Sequence, residues 1–199
     1  LEQEKRILAQ HIADRINDKM AYAQQRCVEE MCRGESIALS PWGNPEDFSA
    51  IDGEELLQFH RSLLAGNRLD LFFSGDVDQQ RVLSLVGDLI TWQRNQRLAK
   101  DRLAHQAKPG EGREIFEYQD VHQAKLVLGY RTQVLYGAED YPALVLLNLI
   151  LGGDGQSRLF KYLREEGGLC YYVESHIEAM SGLLFIVAGI ATETYRQTR

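Results

Sequence analysis

Apolar residues recur at Leu8, Ile12, Ile16, Met20, Ala23, Cys27 and Met31, a spacing that draws one stripe along an α-helix. No Pro or Gly interrupts Glu2 to Arg33, so the pattern predicts a single helix of about 48 Å at about 1.5 Å per residue, ended by Gly34. Residues 35–51, with Pro41, Gly43 and Pro45, read as loop. Asp52 followed by Glu55 is a capping signature for a helix running through Leu64. Leu69–Ser74 reads as a buried strand. Gly75-Asp76 then leads into a helix carrying Val82, Leu85, Val86, Leu89 and Ile90 on one side.

The pattern stops at Arg94 and restarts after Arg113. Ile115, Phe116 and Tyr118 suggest a short strand, and Ala124, Leu126, Leu128 and Tyr130 alternate as a half-buried one. Glu139-Asp140 precede a helix with Pro142 in its first turn, where the missing N–H does no harm. That helix is apolar nearly all round from Leu144 to Leu151, which marks a core element. Gly152-Gly153-Asp154-Gly155 breaks it, a second helix spans Ser157 to Glu166, and Gly167-Gly168 closes that one. Strands at Cys170–Ile177 and Leu183–Ile190 follow. The order predicts an α+β fold, a mostly antiparallel sheet with helices packed on one face.

The interval from Arg94 to Arg113 holds six Lys/Arg against two Asp/Glu and ends near Pro109-Gly110. It reads as a solvated linker, with a basic strip for an acidic partner as the alternative. The expected organisation is therefore the C-terminal part of a first α+β domain over 1–95, a linker over 96–113, and the N-terminal part of a second over 114–199. Leu1 opens directly into a helical pattern, and Thr192 to Arg199 reads as the capped first turn of a further helix. Both ends suggest a piece of a longer chain.

The 199 residues are 44% hydrophobic and 26% charged, as in ordinary globular proteins, and their net charge is −7. An acidic chain is a poor nucleic-acid binder, because phosphate neutralisation needs a surplus of Lys and Arg. No apolar run approaches the roughly 20 residues that span a bilayer, and no secretory leader is evident. Three cysteines, Cys27, Cys32 and Cys170, fit a reducing compartment better than a disulfide framework. The expected location is the cytoplasm, with neither membrane nor nucleic acid as partner.

Most candidate chemistry dissolves on inspection. The glycine cluster at 152–155 lacks the Gly-Lys-Ser/Thr ending of a phosphate-binding loop and reads as a flexible connection between helices. Cys27 and Cys32 lie about 140° apart around a helix axis and cannot share a metal there. The five histidines show no ligand spacing, and no nucleophile elbow or Cys/His pairing occurs. One arrangement remains. Arg164 stands at a helix end and Tyr171 just inside the next strand, with two glycines between them. The helix dipole alone accounts for an Arg there. Together, though, the two side chains are also a pair of donors able to grip peptide carbonyls or a developing oxyanion.

The run Leu151-Gly152-Gly153-Asp154-Gly155-Gln156-Ser157-Arg158-Leu159-Phe160, continued through Leu163-Arg164-Glu165-Glu166 to Leu169-Cys170-Tyr171, resembles the second-half signature of the pitrilysin/insulinase metallopeptidases. These are the inverzincins, whose zinc site uses His-x-x-Glu-His. The stretches Gln123–Tyr130 and Leu71–Asp78 are also similar to that family, so the likeness covers most of the chain. The resemblance implies metallopeptidase-like (pitrilysin/LuxS-like) half-domains, repeated in a clamshell that encloses extended peptides. One half carries zinc, and the facing half offers an Arg and a Tyr seven residues apart to hold the peptide backbone. Arg164 and Tyr171 match that pair. The loop holding Gly152 and Gly153 resembles one that contacts peptide in non-catalytic processing-peptidase subunits.

The chain departs from the family in two places. His-x-x-Glu-His is absent from the 199 residues. In the opening helix, Glu4 matches an earlier family Glu, but His11 occupies the place of the third zinc ligand, a Glu in the family. Histidine can bind zinc, but from a shorter reach. The implied protein is a zinc-less, non-catalytic member that has no cofactor in this stretch, catalyses nothing alone, and binds peptide beside a zinc-bearing paralogous subunit or as a homo-oligomer. Two alternatives stay open: an active zinc endopeptidase whose motif lies upstream, and a structural assembly subunit without a peptide ligand.

Overall fold

The computed structural model describes residues 1–66, 70–89 and 112–199. It divides into two compact units, residues 1–5 with the described part of 46–104, and residues 6–45 with the described part of 105–199.

In the first unit, helix α3 (Gly53–Gly66) starts where expected, because the Asp52 carboxylate accepts the Glu55 N–H at 2.8 Å. Helix α4 (Gln79–Leu89) is opened the same way by Asp78, which accepts the Arg81 N–H at 2.8 Å. Between them, the described residues 70–74 of the expected strand take no regular secondary structure and join no sheet. A strand needs a partner to satisfy its N–H and C=O groups, and none pairs here among the described residues.

The second unit contains the sheet. Strands β1 (Ala124–Arg131), β2 (Cys170–Glu178) and β3 (Leu183–Ile190) form an antiparallel sheet in the order β1-β3-β2. Helix α5 (Tyr141–Asn148) continues as a π-helical turn, Leu149–Gly153, and a second π-helical segment spans Phe160–Glu166. Central strand β3 is buried along almost its whole length because both of its faces are covered. On one face Ala188 and Ile190 meet Cys170, Val173, Leu159, Phe160 and Leu163. On the other, Leu183, Phe185 and Val187 meet Cys32 and Met20, Cys27, Val28 and Met31 of helix α2 (Lys19–Met31). The fold is thus α+β with an antiparallel sheet, as the pattern predicts, and helix α2 adds a second covering layer.

Two further expectations change. The single long helix is two, α1 (Glu2–Asp14) and α2 (Lys19–Met31), separated by a tight turn at Arg15–Asn17. Asp18 causes the break. Its carboxylate accepts the Ala21 N–H at 3.0 Å and starts a new helix, a competition with the helical ladder that Asp wins readily. The expected strand at Ile115–Tyr118 is a strap instead, held by side chains. Glu117 accepts Arg26 Nε at 2.7 Å and the Tyr22 hydroxyl at 3.0 Å, and Arg113 donates to the Glu30 carbonyl at 2.7 Å.

The linker expected over 96–113 lies, apart from its last two residues, outside the described residues. Segments on either side of it share one core, since α2 packs on β1 and β3. The apolar stripe of α2 and the second face of β3 are each other's cover. Among the described residues, no helix is long and apolar enough to cross a membrane.

Candidate peptide-gripping site

Arg164 and Tyr171 sit on the two arms of one helix-to-strand turn. The π-helical segment ends as the Gly167 N–H bonds the Tyr162 carbonyl at 3.0 Å and the Leu169 N–H reaches back to the Leu163 carbonyl at 2.8 Å. Gly168, at φ 60°, supplies the left-handed residue that this closure needs. Strand β2 then begins with a bulge. Cys170 pairs with Ile190 and Tyr172 with Gly189, so Tyr171 is an extra residue lifted out of the ladder. Bulges of this kind re-aim a side chain and gather beside active sites.

Both side chains face solvent, with Tyr171 56% exposed. The Arg164 guanidinium lies 4.8 Å from the Phe160 ring centre, a cation–π contact that steadies it without using its donors. Between the two residues, burial pushes the Cys170 thiol up while the Arg164 charge opposes that shift. The positive field of Arg164 therefore reaches the start of β2. The structure places the pair on one turn and shows no hydrogen bond between them. Five guanidinium N–H groups and a phenol O–H are thus presented to solvent as donors, the equipment for holding carbonyl oxygens.

The glycine loop divides by position. Gly152 is buried against the sheet, where a Cβ would come within 2.8 Å of Ser175 Oγ and 2.9 Å of Ser175 N. That close approach explains its identity as packing, and it faces β2 rather than solvent. Gly153 and Gly155 are exposed. Asp154 shapes the turn, accepting the Gln156 N–H at 2.7 Å through its carboxylate and the Ser157 N–H at 3.2 Å through its carbonyl. Asn148 Oδ1 and Ser157 Oγ, buried on either side of this loop, have no hydrogen-bond partner among the described residues.

The sequence did not foretell the bulge at Tyr171 or the two π-helical segments, features that recur at functional sites. Two adjacent tyrosines and a doubled glycine were the only outward sign of the bulge, and nothing in the leucine-rich run announced i→i+5 bonding.

Among the described residues, His11 has no zinc-ligand cluster around it. His11 is exposed in the last turn of α1. Among the described residues, no three His, Cys, Asp or Glu side chains gather closely enough to hold a metal ion.

An antiparallel sheet covered by helices on both faces is an α+β, metallopeptidase-like architecture. The family model described as "Peptidase M16 inactive domain" matches residues 50–199, and the chain belongs to that family. It is 36% identical over 196 residues to the "Probable inactive metalloprotease YmfF" of Bacillus subtilis, covering 98% of this chain and 46% of that protein. It is 28% identical over 158 residues to the "Uncharacterized zinc protease YmxG" of the same organism, covering 78% of this chain and 37% of that one. A solved conserved protein from Enterococcus faecalis superposes with a TM-score of 0.79 at 25% identity, over 99% of this chain and 46% of its own. The chain spans less than half the length of these relatives.

Proposed function

We infer that this chain is a peptide-holding, non-catalytic part of an M16-type protein that works opposite a zinc-bearing paralogous subunit. Arg164 and Tyr171 donate to backbone carbonyls of an extended peptide and to the oxyanion that develops when the zinc-bearing half attacks it. The exposed Gly153 edge of the loop lies beside the peptide, and Gly152 holds that edge against β2. One observation carries the reading: both donors stand exposed on a single turn, and the bulge frees Tyr171 from the sheet.

The test is peptide hydrolysis by the full-length protein mixed with its paralogue. Arg164→Ala and Tyr171→Phe should each lower kcat/KM by about 100- to 1000-fold, the scale of losing one oxyanion donor. Unchanged hydrolysis in both variants overturns the reading and leaves a structural subunit.

A second reading, an active zinc endopeptidase, is favoured by relatives such as YmxG that carry a zinc-protease name. A His-x-x-Glu-His encoded upstream of Leu1 in the parent gene, with stoichiometric zinc in the full-length protein, would establish it.

A further inference from the structure

The helical run that carries Arg164 also presents Arg158 and Lys161, both exposed. The Arg158 guanidinium lies 5.8 Å and the Lys161 ammonium 5.9 Å from the centre of the same Tyr162 ring, which is 51% exposed. Two cations thus flank one solvent-facing phenol. Elsewhere in the unit, Arg26, Arg33, Arg131 and Arg199 each hold a carboxylate. Arg158 and Arg164 pair with no carboxylate among the described residues, and Lys161 has only Glu166 at a loose 3.8 Å. Glu165 and Glu166 follow Arg164 in the same segment, yet neither closes a tight ion pair with Arg158 or Arg164. Aromatic support limits the freedom of the two guanidinium groups, so a ligand carboxylate meets donors that are partly pre-positioned.

We propose that Arg158 and Lys161 make this helix face a selector for acidic peptides, reading Asp or Glu side chains of the same ligand whose backbone Arg164 and Tyr171 hold. The proposal rests on the peptide-holding reading and adds a substrate class to it. A planar guanidinium bonds a carboxylate through two parallel N–H groups. The Lys161 ammonium adds attraction without fixed geometry.

The experiment uses two labelled peptides of equal length, alike except that one carries glutamates where the other carries glutamines. Binding to the full-length protein is read by fluorescence anisotropy. The acidic peptide should bind about three- to tenfold tighter, the return from two solvent-exposed charge pairs. That preference should shrink as salt is raised from about 0.05 to 0.5 M. In the double variant Arg158→Gln/Lys161→Gln the two affinities should converge, whereas Arg158→Lys/Lys161→Arg should keep most of the preference. The charge-preserving variant separates lost charge from lost folding. Equal affinities in the unaltered protein, or a preference that survives the Gln double variant, overturn the selector alone. Failure of both peptides to bind overturns the peptide-holding reading with it.

Discussion

The Arg131 guanidinium donates to the Met31 carbonyl at 2.8 Å, so a strand residue closes the open end of a helix that lies 100 positions earlier in sequence. The same guanidinium is ion-paired with Glu35, and both side chains are largely buried. Helix C-termini leave carbonyls unsatisfied and carry partial negative charge, so a cation placed there serves both needs.

Removing that side chain takes a largely buried ion-pair partner from Glu35 and a donor from the Met31 carbonyl. Arg131→Met should lower unfolding stability by about 2–3 kcal/mol, read as a fall in the urea midpoint. Arg131→Lys should recover only part, because an ammonium cannot serve both the carbonyl and the carboxylate with a planar fork.

Glu117 sets an acid limit on the strap. Its hydrogen bond from Arg26 holds the carboxyl below the ordinary glutamate range, against the opposing effect of burial. A group whose pKa is depressed by folding contributes stability above its unfolded value and loses that contribution as pH falls through its folded value. Stability should therefore decline with acid between about pH 5 and pH 3, and Glu117→Gln should flatten that limb. Carboxyl carbon chemical shifts that put the Glu117 midpoint at or above an ordinary glutamate would refute the assignment.

Glycine positions within one loop should respond unequally. Gly152→Ala drives a Cβ into Ser175 and should cost about 1–3 kcal/mol, as overpacking does. At Gly155 a Cβ meets nothing within 4 Å, so Gly155→Ala should change stability by no more than about 0.5 kcal/mol. Thermal unfolding of the two variants makes the comparison.

Stability and peptide binding should separate at the candidate site. Tyr171→Phe keeps the ring and loses an exposed hydroxyl, so its unfolding midpoint should match the parent's to within about 0.5 kcal/mol. Arg164→Ala forfeits a surface cation–π contact worth about 0.5–1 kcal/mol. Larger losses in urea titrations would mark both residues as supports of the fold rather than holders of a ligand.

The sheet and its neighbours were legible because each element announces itself locally. Ala124–Arg131 alternates, Leu183–Ile190 is an unbroken apolar run, Asp52 caps α3 and Pro142 opens α5. Elements that depend on competition were not. Asp18 reads as one more polar residue on a helix until its side chain takes the Ala21 N–H. Leu71, Phe73, Ile115 and Phe116 look strand-like, but strands exist only in pairs and these find no neighbour among the described residues. The Arg164–Tyr171 spacing was visible in the sequence, whereas the bulge that frees the phenol depends on how β2 registers against β3. Composition carries no trace of register.

Among the described residues, strand β1 pairs with β3 alone, and β3 follows it only after α5, the glycine loop and all of β2. During synthesis at roughly 5–20 residues per second, the backbone of β1 must therefore wait several seconds on the ribosome without its β3 partner. That interval is when a nascent-chain chaperone would find its handle, and when neighbouring ribosomes on one message would be most apt to cross-associate their products.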